Sequence, residues 1–140
     1  MLKVNFYELN KVEESRPLFA VIVARYKQKC LFIKHKEKKT WEIPGGHREK
    51  DEDINTTALR ELVEGTGAKD FKITPVCIYS VDDKEAKSFG QLFYAEIDKL
   101  DELPDSEIRE VKLFDTIPVN LTHPLIQPYL FNEVIRRIYN

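Results

Sequence analysis

Residues Trp41–Ala68 read WEIPGGHREKDEDINTTALRELVEGTGA, and the fold turns on this stretch. Pro44, Gly45 and Gly46 make a turn, an acidic loop follows, and from Asp53 the pattern becomes helical. Ile54, Ala58 and Leu62 recur at i, i+4 and i+8, the apolar stripe of a helix packed on a core. Asp53 stands where an N-cap belongs, and Gly65 or Gly67 ends the helix. Glu61 and Glu64, one turn apart, point the same way. Two carboxylates beside a glycine turn with exposed backbone suit a hard divalent cation and its phosphate ligand. The position after Glu64, where a third carboxylate would complete the face, is Gly65.

Outward from this stretch, the segments alternate. LFAVIVARY (Leu18 to Tyr26) and CLFIKH (Cys30 to His35) are apolar and β-branched, joined by Lys27, Gln28 and Lys29, and read as a hairpin. The first is apolar almost throughout, as a strand covered on both faces would be. Trp41 to Ile43 reads as a short strand entering the glycine turn. Beyond the helix, FKITPVCIYSV (Phe71 to Val81) and GQLFYAEI (Gly90 to Ile97) flank a charged turn at Asp82 to Lys87, a second antiparallel pair. An acidic loop, Asp101 to Ser106, leads to a strand at Ile108 to Phe114. Pro124 to Tyr139 reads as a closing helix with Leu130, Val134 and Ile138 on one face. Strands interrupted by one helix and closed by another predict an α/β fold, a mixed sheet between helices, as one domain over 1–140.

Composition narrows the function. At 140 residues, 42% hydrophobic, the chain carries a real core, and a net charge of −2 argues against bulk attraction to nucleic acid or a membrane surface. Cys30 and Cys77 stand alone, without CxxC or histidines at ligand spacing, so neither zinc nor a disulfide framework is expected. No apolar run reaches the roughly 20 residues that cross a bilayer. The N-terminal MLKVNFYELNKVEES is charged and lacks a secretory core, which predicts a cytoplasmic protein.

Gly46, five residues, Glu52, seven residues, Arg60-Glu61-Leu62-x-Glu64, then Gly67 and Ala68 resemble the Nudix box, GX5EX7REUXEEXGU with U aliphatic. Ala68 serving as U, eight of nine defined positions match, and Gly65 replaces the second Glu of the EE pair. The resemblance implies an α/β/α sandwich of the Nudix, MutT-like type. It also implies hydrolysis of a nucleoside diphosphate linked to another group, with Mg²⁺ or Mn²⁺. Under it, Glu61 and Glu64 hold metal, Glu61 acts as base or as water ligand, and the Gly45 carbonyl adds a neutral ligand. Glu52 and Arg60 form an ion pair that pins the acidic loop to the helix, a structural role shared by Gly46 and Gly67. Family members often supply a further ligand or base from the loop before a late strand. Asp105, Glu107 and Glu110 stand there, with Glu107 the leading candidate and a solvated loop the plain alternative.

Other candidates come from position. Lys34, His35, Lys36, Lys38 and Lys39 precede the glycine turn, where Lys34 and Lys36 would meet phosphate oxygens as point charges unless the run is only a solvated hairpin end. Glu42 would reach the metal cluster through water or lie on a strand surface. His47 is placed to touch phosphate. Trp41, Phe6, Tyr7 and Phe89 are candidates to stack on a base or to fill the core. His123, beside Pro124, serves the turn into the last helix.

Gly65 carries two readings. It caps the helix early and leaves a two-carboxylate site, or it marks lost catalysis. The markers of ADP-ribose and dinucleoside polyphosphate hydrolases, a proline or a tyrosine downstream of the box, are absent where Asp82, Asp83, Lys84 and Glu85 stand. The build and the run EVKLFDTIPVNL look more like the branch that cleans oxidised or non-standard nucleoside triphosphates. The expectation is therefore a metal-dependent nucleotide diphosphatase, monomeric or homodimeric, without nucleic-acid or membrane partners. A Nudix-fold nucleotide sensor is the second reading, and a structural α/β domain with a merely solvated acidic face the third.

Overall fold

Phe19–Tyr26 (β2) carries apolar side chains on both faces, and the fold is arranged around it. The computed structural model describes residues 2–139. In chain order the remaining elements are β1 (Leu2–Tyr7), a 3₁₀ turn at Leu9–Lys11, β3 (Lys29–His35), β4 (Gly45–His47), α1 (Ile54–Thr66), β5 (Ala68–Asp83), β6 (Ala86–Leu100), β7 (Ile108–Phe114) and α2 (Gln127–Ile138). The sheet order is β1-β5-β6-β2-β3-β7, with β4 paired to β2. β2 runs parallel to β6, and the other pairs are antiparallel.

Alternation along β2 builds two cores, because successive strand residues face opposite ways. Ala20, Ile22 and Ala24 join Leu31, Ile33 and Phe93 beneath the α1 stripe of Ile54, Ala58 and Leu62. Val21 and Val23 join Phe32, Leu92 and Tyr94 beneath Leu130, Phe131 and Val134 of α2. Helices therefore cover opposite faces of a mixed sheet, the α/β/α sandwich expected of the sequence. The β2–β3 connection is a tight turn with Lys27 and Gln28 at φ 52° and 69°, the backbone a two-residue hairpin needs.

Three features differ from expectation. The N-terminal segment, read only for its charge, forms edge strand β1 against β5, with Val4 and Phe6 packed on the α2-side core. Trp41 and Glu42 make isolated bridges to Leu121 and Ile33 instead of a strand. Pro44 follows them with no N–H to extend a ladder, and its carbonyl instead accepts from Ile22 N at 2.8 Å. The glycines are strand, not turn: Gly45 and Gly46 pair with Val21 and Ala20. Neither has positive φ, and glycine is needed there for close approach. A Cβ on Gly45 would strike the Ala20 carbonyl, and one on Gly46 would strike the Glu61 carboxylate.

At the end of α1, Gly67 adopts φ 80° and returns its N–H to the Val63 carbonyl, so Gly67 is the cap. Gly65 sits inside the last helical turn, and a Cβ there would meet nothing within 4 Å. The early-cap reading of Gly65 is thereby corrected, because helical hydrogen bonding continues past it to Thr66. Nothing in the backbone requires glycine, so Gly65→Ala is expected to stabilise the fold by about 1 kcal/mol in urea unfolding. A loss of stability would mean that this turn is not helical in solution.

Candidate active site

The clamp that organises the site is local. Arg60 Nε donates to Glu52 Oε2 at 2.8 Å and Nη2 to Oε1 at 2.9 Å, a two-pronged pair. Thr57 Oγ1 and the Glu49 N–H also donate to Glu52 Oε1, at 2.7 and 3.0 Å. These donors hold the Glu52 carboxyl far below the usual carboxylate range, Arg60 contributing most. Arg60 Nη2 also donates to the His47 carbonyl at 3.3 Å, tying α1 to β4. The acidic loop, the helix and the glycine strand are thus fixed relative to one another.

That arrangement sets Glu61 against Gly46. Burial pushes the Glu61 carboxyl up, Arg60 pulls it back, and Glu64, Glu52 and Glu107 push it further up. Arg60 Nη1 lies 3.7 Å from Glu61 and 4.0 Å from Glu64, so one guanidinium partly neutralises both. Glu64 is 59% exposed and free to swing, whereas Glu61 is only 20% exposed.

A cavity of about 710 Å³ opens over this face, lined by Gly45, Glu61, Glu64 and Gly65 on one side and by Asp105 and Glu107 on the other. Its charged donors suited to a cation are carboxylate oxygens, and Glu64, Glu52 and Glu107 raise the cost of ionising Glu61. This donor set fits a hard divalent cation. Among the described residues, no three His, Cys, Asp or Glu side chains already converge as a metal-ligand set.

A second cavity of about 410 Å³ adjoins it, sharing His35, Gly45, Gly46 and His47. Its walls are chiefly apolar, with Phe19, Tyr79, Ile126 and Leu130, and it carries the carboxamide of Gln127.

The sequence candidates divide between these places. Glu61, Glu64, Glu107, Asp105 and Gly45 come together around the larger cavity, while Glu110 lies outside its wall. Asp105 is fully exposed and pairs with Lys36 at 3.7 Å. Lys34 and Lys36 line neither cavity; Lys34 Nζ rests 4.3 Å from the Trp41 ring centre. The cause is strand alternation, which turns His35 toward the cavities and Lys34 away. Glu42 lies on the smaller cavity, 3.5 Å from His35 Nε2 and 3.6 Å from Lys38 Nζ.

His47 lines both cavities, edge-on to Phe19. Trp41 and Phe89 are core, as are Tyr7 and Phe6 in part, and none of them lines the smaller cavity. Its aromatic residues are Phe19 and Tyr79, which no local pattern singled out. The carbonyl of His123 accepts from Ile126 and Gln127 N–H at 3.2 and 3.0 Å, the turn into α2.

A mixed sheet between two helices, with an acidic helix face laid on a glycine strand, defines the class of the Nudix-type pyrophosphohydrolases, enzymes that act on phosphoric anhydride bonds. The NUDIX domain model matches residues 14–129, and the chain belongs to that family. A Bacillus subtilis (strain 168) protein named "Putative 8-oxo-dGTP diphosphatase YtkD" is 33% identical over 107 residues, 76% of this chain and 67% of that protein. A mutant of the Bacillus subtilis pyrophosphohydrolase BsRppH superposes with TM-score 0.77 at 23% identity, covering 96% of this chain and 90% of that one. The NUDIX domain of Shewanella oneidensis NrtR, solved with ADP ribose, superposes with TM-score 0.64 at 19% identity, covering 94% of each chain. At these identities the structural likenesses speak to the fold alone.

Proposed function

We propose that this protein is a metal-dependent nucleotide diphosphatase acting on a nucleoside triphosphate, oxidised forms included. The observation that carries this reading is the pair of adjoining cavities. One is acidic and suits cation-bound phosphates, the other is apolar and suits a base, and a shared wall of His35, Gly45, Gly46 and His47 joins them. The name of the Bacillus subtilis relative, which specifies 8-oxo-dGTP, supports the choice of substrate.

Glu61, Glu64 and the Gly45 carbonyl would hold Mg²⁺ or Mn²⁺, and Glu107 would face them from the opposite wall. When bound, the cation neutralises phosphate oxygens and acidifies water. Arg60 keeps Glu61 oriented over Gly46. Glu61, whose carboxyl burial has already pushed up, accepts the proton of the attacking water, or Glu107 does so from across the cavity. The water oxygen bonds to phosphorus, the anhydride bond breaks, and the phosphate leaving group carries away the electron pair. The smaller cavity holds the nucleoside while this occurs.

The test is product release from a panel containing dGTP, 8-oxo-dGTP, ADP-ribose and a dinucleoside polyphosphate, with and without Mg²⁺ or Mn²⁺. Turnover of a nucleoside triphosphate that EDTA abolishes is the expected result. Metal-independent turnover, or release from ADP-ribose alone, would overturn this assignment. Gly65 favours a second reading, a nucleotide sensor, since it removes a carboxylate from the helix face; that reading predicts binding of the same nucleotides with no product in any metal.

A further inference from the structure

Thr57 is 0% exposed in α1, beside Ala58 and one turn from Ile54. Threonine is a weak helix former and an unbonded hydroxyl is costly in a core, so its presence calls for a bond that an aliphatic residue could not make. Two acceptors are in reach: the Asp53 carbonyl at 3.2 Å, the usual back-bond of a helical threonine, and Glu52 Oε1 at 2.7 Å. A hydroxyl has one proton, and the nearer, charged acceptor takes it. Glu52 Oε1 thus gathers Thr57 Oγ1, the Glu49 N–H and Arg60 Nη2 on one oxygen. Of these three donor residues only Thr57 is wholly buried, since the side chains of Arg60 and Glu49 are 23% and 69% exposed.

We infer that Thr57 is a positioning residue: by anchoring Glu52 it keeps the Arg60 guanidinium from closing on the carboxylates that would hold the cation. The inference rests on the metal-dependent reading above and concerns the same site. Arg60 commits Nε and Nη2 to Glu52. That leaves Nη1 3.7 Å from Glu61 and 4.0 Å from Glu64, near enough to attract both but outside hydrogen-bond distance. Were the Glu52 carboxylate to turn, the guanidinium fork would lose its partner with Glu61 and Glu64 beside it. A two-pronged arginine on Glu61 competes with a divalent cation for the same oxygens. The Thr57 hydroxyl therefore sets a division of labour, with Glu52 holding the guanidinium and Glu61 and Glu64 left open to the metal.

The experiment is Mn²⁺ titration followed by electron paramagnetic resonance, with melting temperatures in EDTA, on wild type, Thr57→Val, Thr57→Ser and Thr57→Ala. Thr57→Val keeps the branched shape and deletes the hydroxyl, and it should bind Mn²⁺ about tenfold more weakly, the low end of what losing a group behind a metal ligand costs. The Mg²⁺ concentration for half-maximal turnover should rise by a similar factor, with kcat at saturating Mg²⁺ close to wild type, since enough cation displaces the guanidinium. Thr57→Ser keeps the hydroxyl and loses a buried methyl, so it should melt lower yet bind Mn²⁺ as wild type does. A side chain that only packed α1 would instead make Mn²⁺ affinity follow melting temperature across the series. Thr57→Ala lacks both groups, and its comparison with Thr57→Ser decides the matter should Thr57→Val not fold. Unchanged Mn²⁺ affinity in a folded Thr57→Val, or equal affinity in Thr57→Ala and Thr57→Ser, would overturn the inference while leaving metal-dependent hydrolysis standing. If wild type binds no Mn²⁺ and no divalent cation activates it, the metal reading itself falls, and this inference with it.

Discussion

Glu61→Gln is expected to lower kcat by about 10³-fold, the order contributed by a general base or a charge aimed at a transition state. Melting temperature in EDTA should be unchanged or higher. The two effects have one cause. Glu61 is a half-buried carboxylate whose ionisation is opposed first by burial and then by Glu64, Glu52 and Glu107, with Arg60 alone among the named neighbours in its favour. Held at neutral pH without a cation, such a group strains the fold, and an amide of the same shape relieves it. A bound cation reverses the balance, because it binds the folded site and stabilises it by mass action. Wild type should therefore melt at a higher temperature in Mg²⁺ than in EDTA, and Glu61→Gln should show little of that rise. A side chain that only held the fold together would behave otherwise, losing stability and activity together. Turnover within threefold of wild type, or an undiminished Mg²⁺ rise, would remove Glu61 from the proposed role.

How much of this was legible in the sequence depends on the range of each signal. The α1 stripe, its Asp53 cap and the hairpin read over Leu18 to Tyr26 and Cys30 to His35 are local patterns. The stripe and cap fold as read, and the hairpin forms as Phe19–Tyr26 with Lys29–His35, one residue off at each strand's start. The Glu52–Arg60 pair is eight residues apart on a loop and the helix it enters, and the family motif placed it. The parallel pairing of β2 with β6 had no such signal, because Phe19 meets Gly90 across some seventy residues. β1 was hidden for a different reason. Leu2, Val4 and Phe6 alternate with Lys3 and Asn5, but an edge strand this short reads as easily as a polar leader.

The basic run misled because charge was counted without the two-residue period that decides which side chains reach a cavity. The Gln127 side chain was not singled out either, since its bond to the Ile43 N–H exists only in the closed sandwich. The acidic half of the site is thus written along one helix and its neighbours in sequence. The apolar half is assembled from β2, β5 and α2 and exists only in three dimensions.

Gly65→Glu is the complementary experiment, and it should raise kcat/KM with Mg²⁺ by about 10²-fold. That is the upper range seen when groups supporting a bound metal are removed, here run in reverse. The position accepts the side chain: α1 is helical through Thr66, Gly65 lines the acidic cavity, and a Cβ there has open space. Spacing of four from Glu61 and one from Glu64 puts the new carboxylate on the same cavity. Stability in EDTA should barely change. Replacing glycine in a helical turn contributes up to about 1 kcal/mol, while repulsion from Glu61 at i−4 costs about 0.2–0.5 kcal/mol and further carboxylates add to it. In Mg²⁺ or Mn²⁺ the added charge becomes a ligand, so the melting temperature should rise more with metal than it does in wild type. Titration with Mn²⁺, followed by its electron paramagnetic resonance, should count more bound ions per chain in the variant. Gly65→Ala is the control, sharing the helical gain without the carboxylate, and it should leave kcat/KM and ion count at wild-type values. If Gly65→Glu and Gly65→Ala behave alike, the missing carboxylate does not limit this site, and Glu61, Glu64 and the facing Glu107 already suffice.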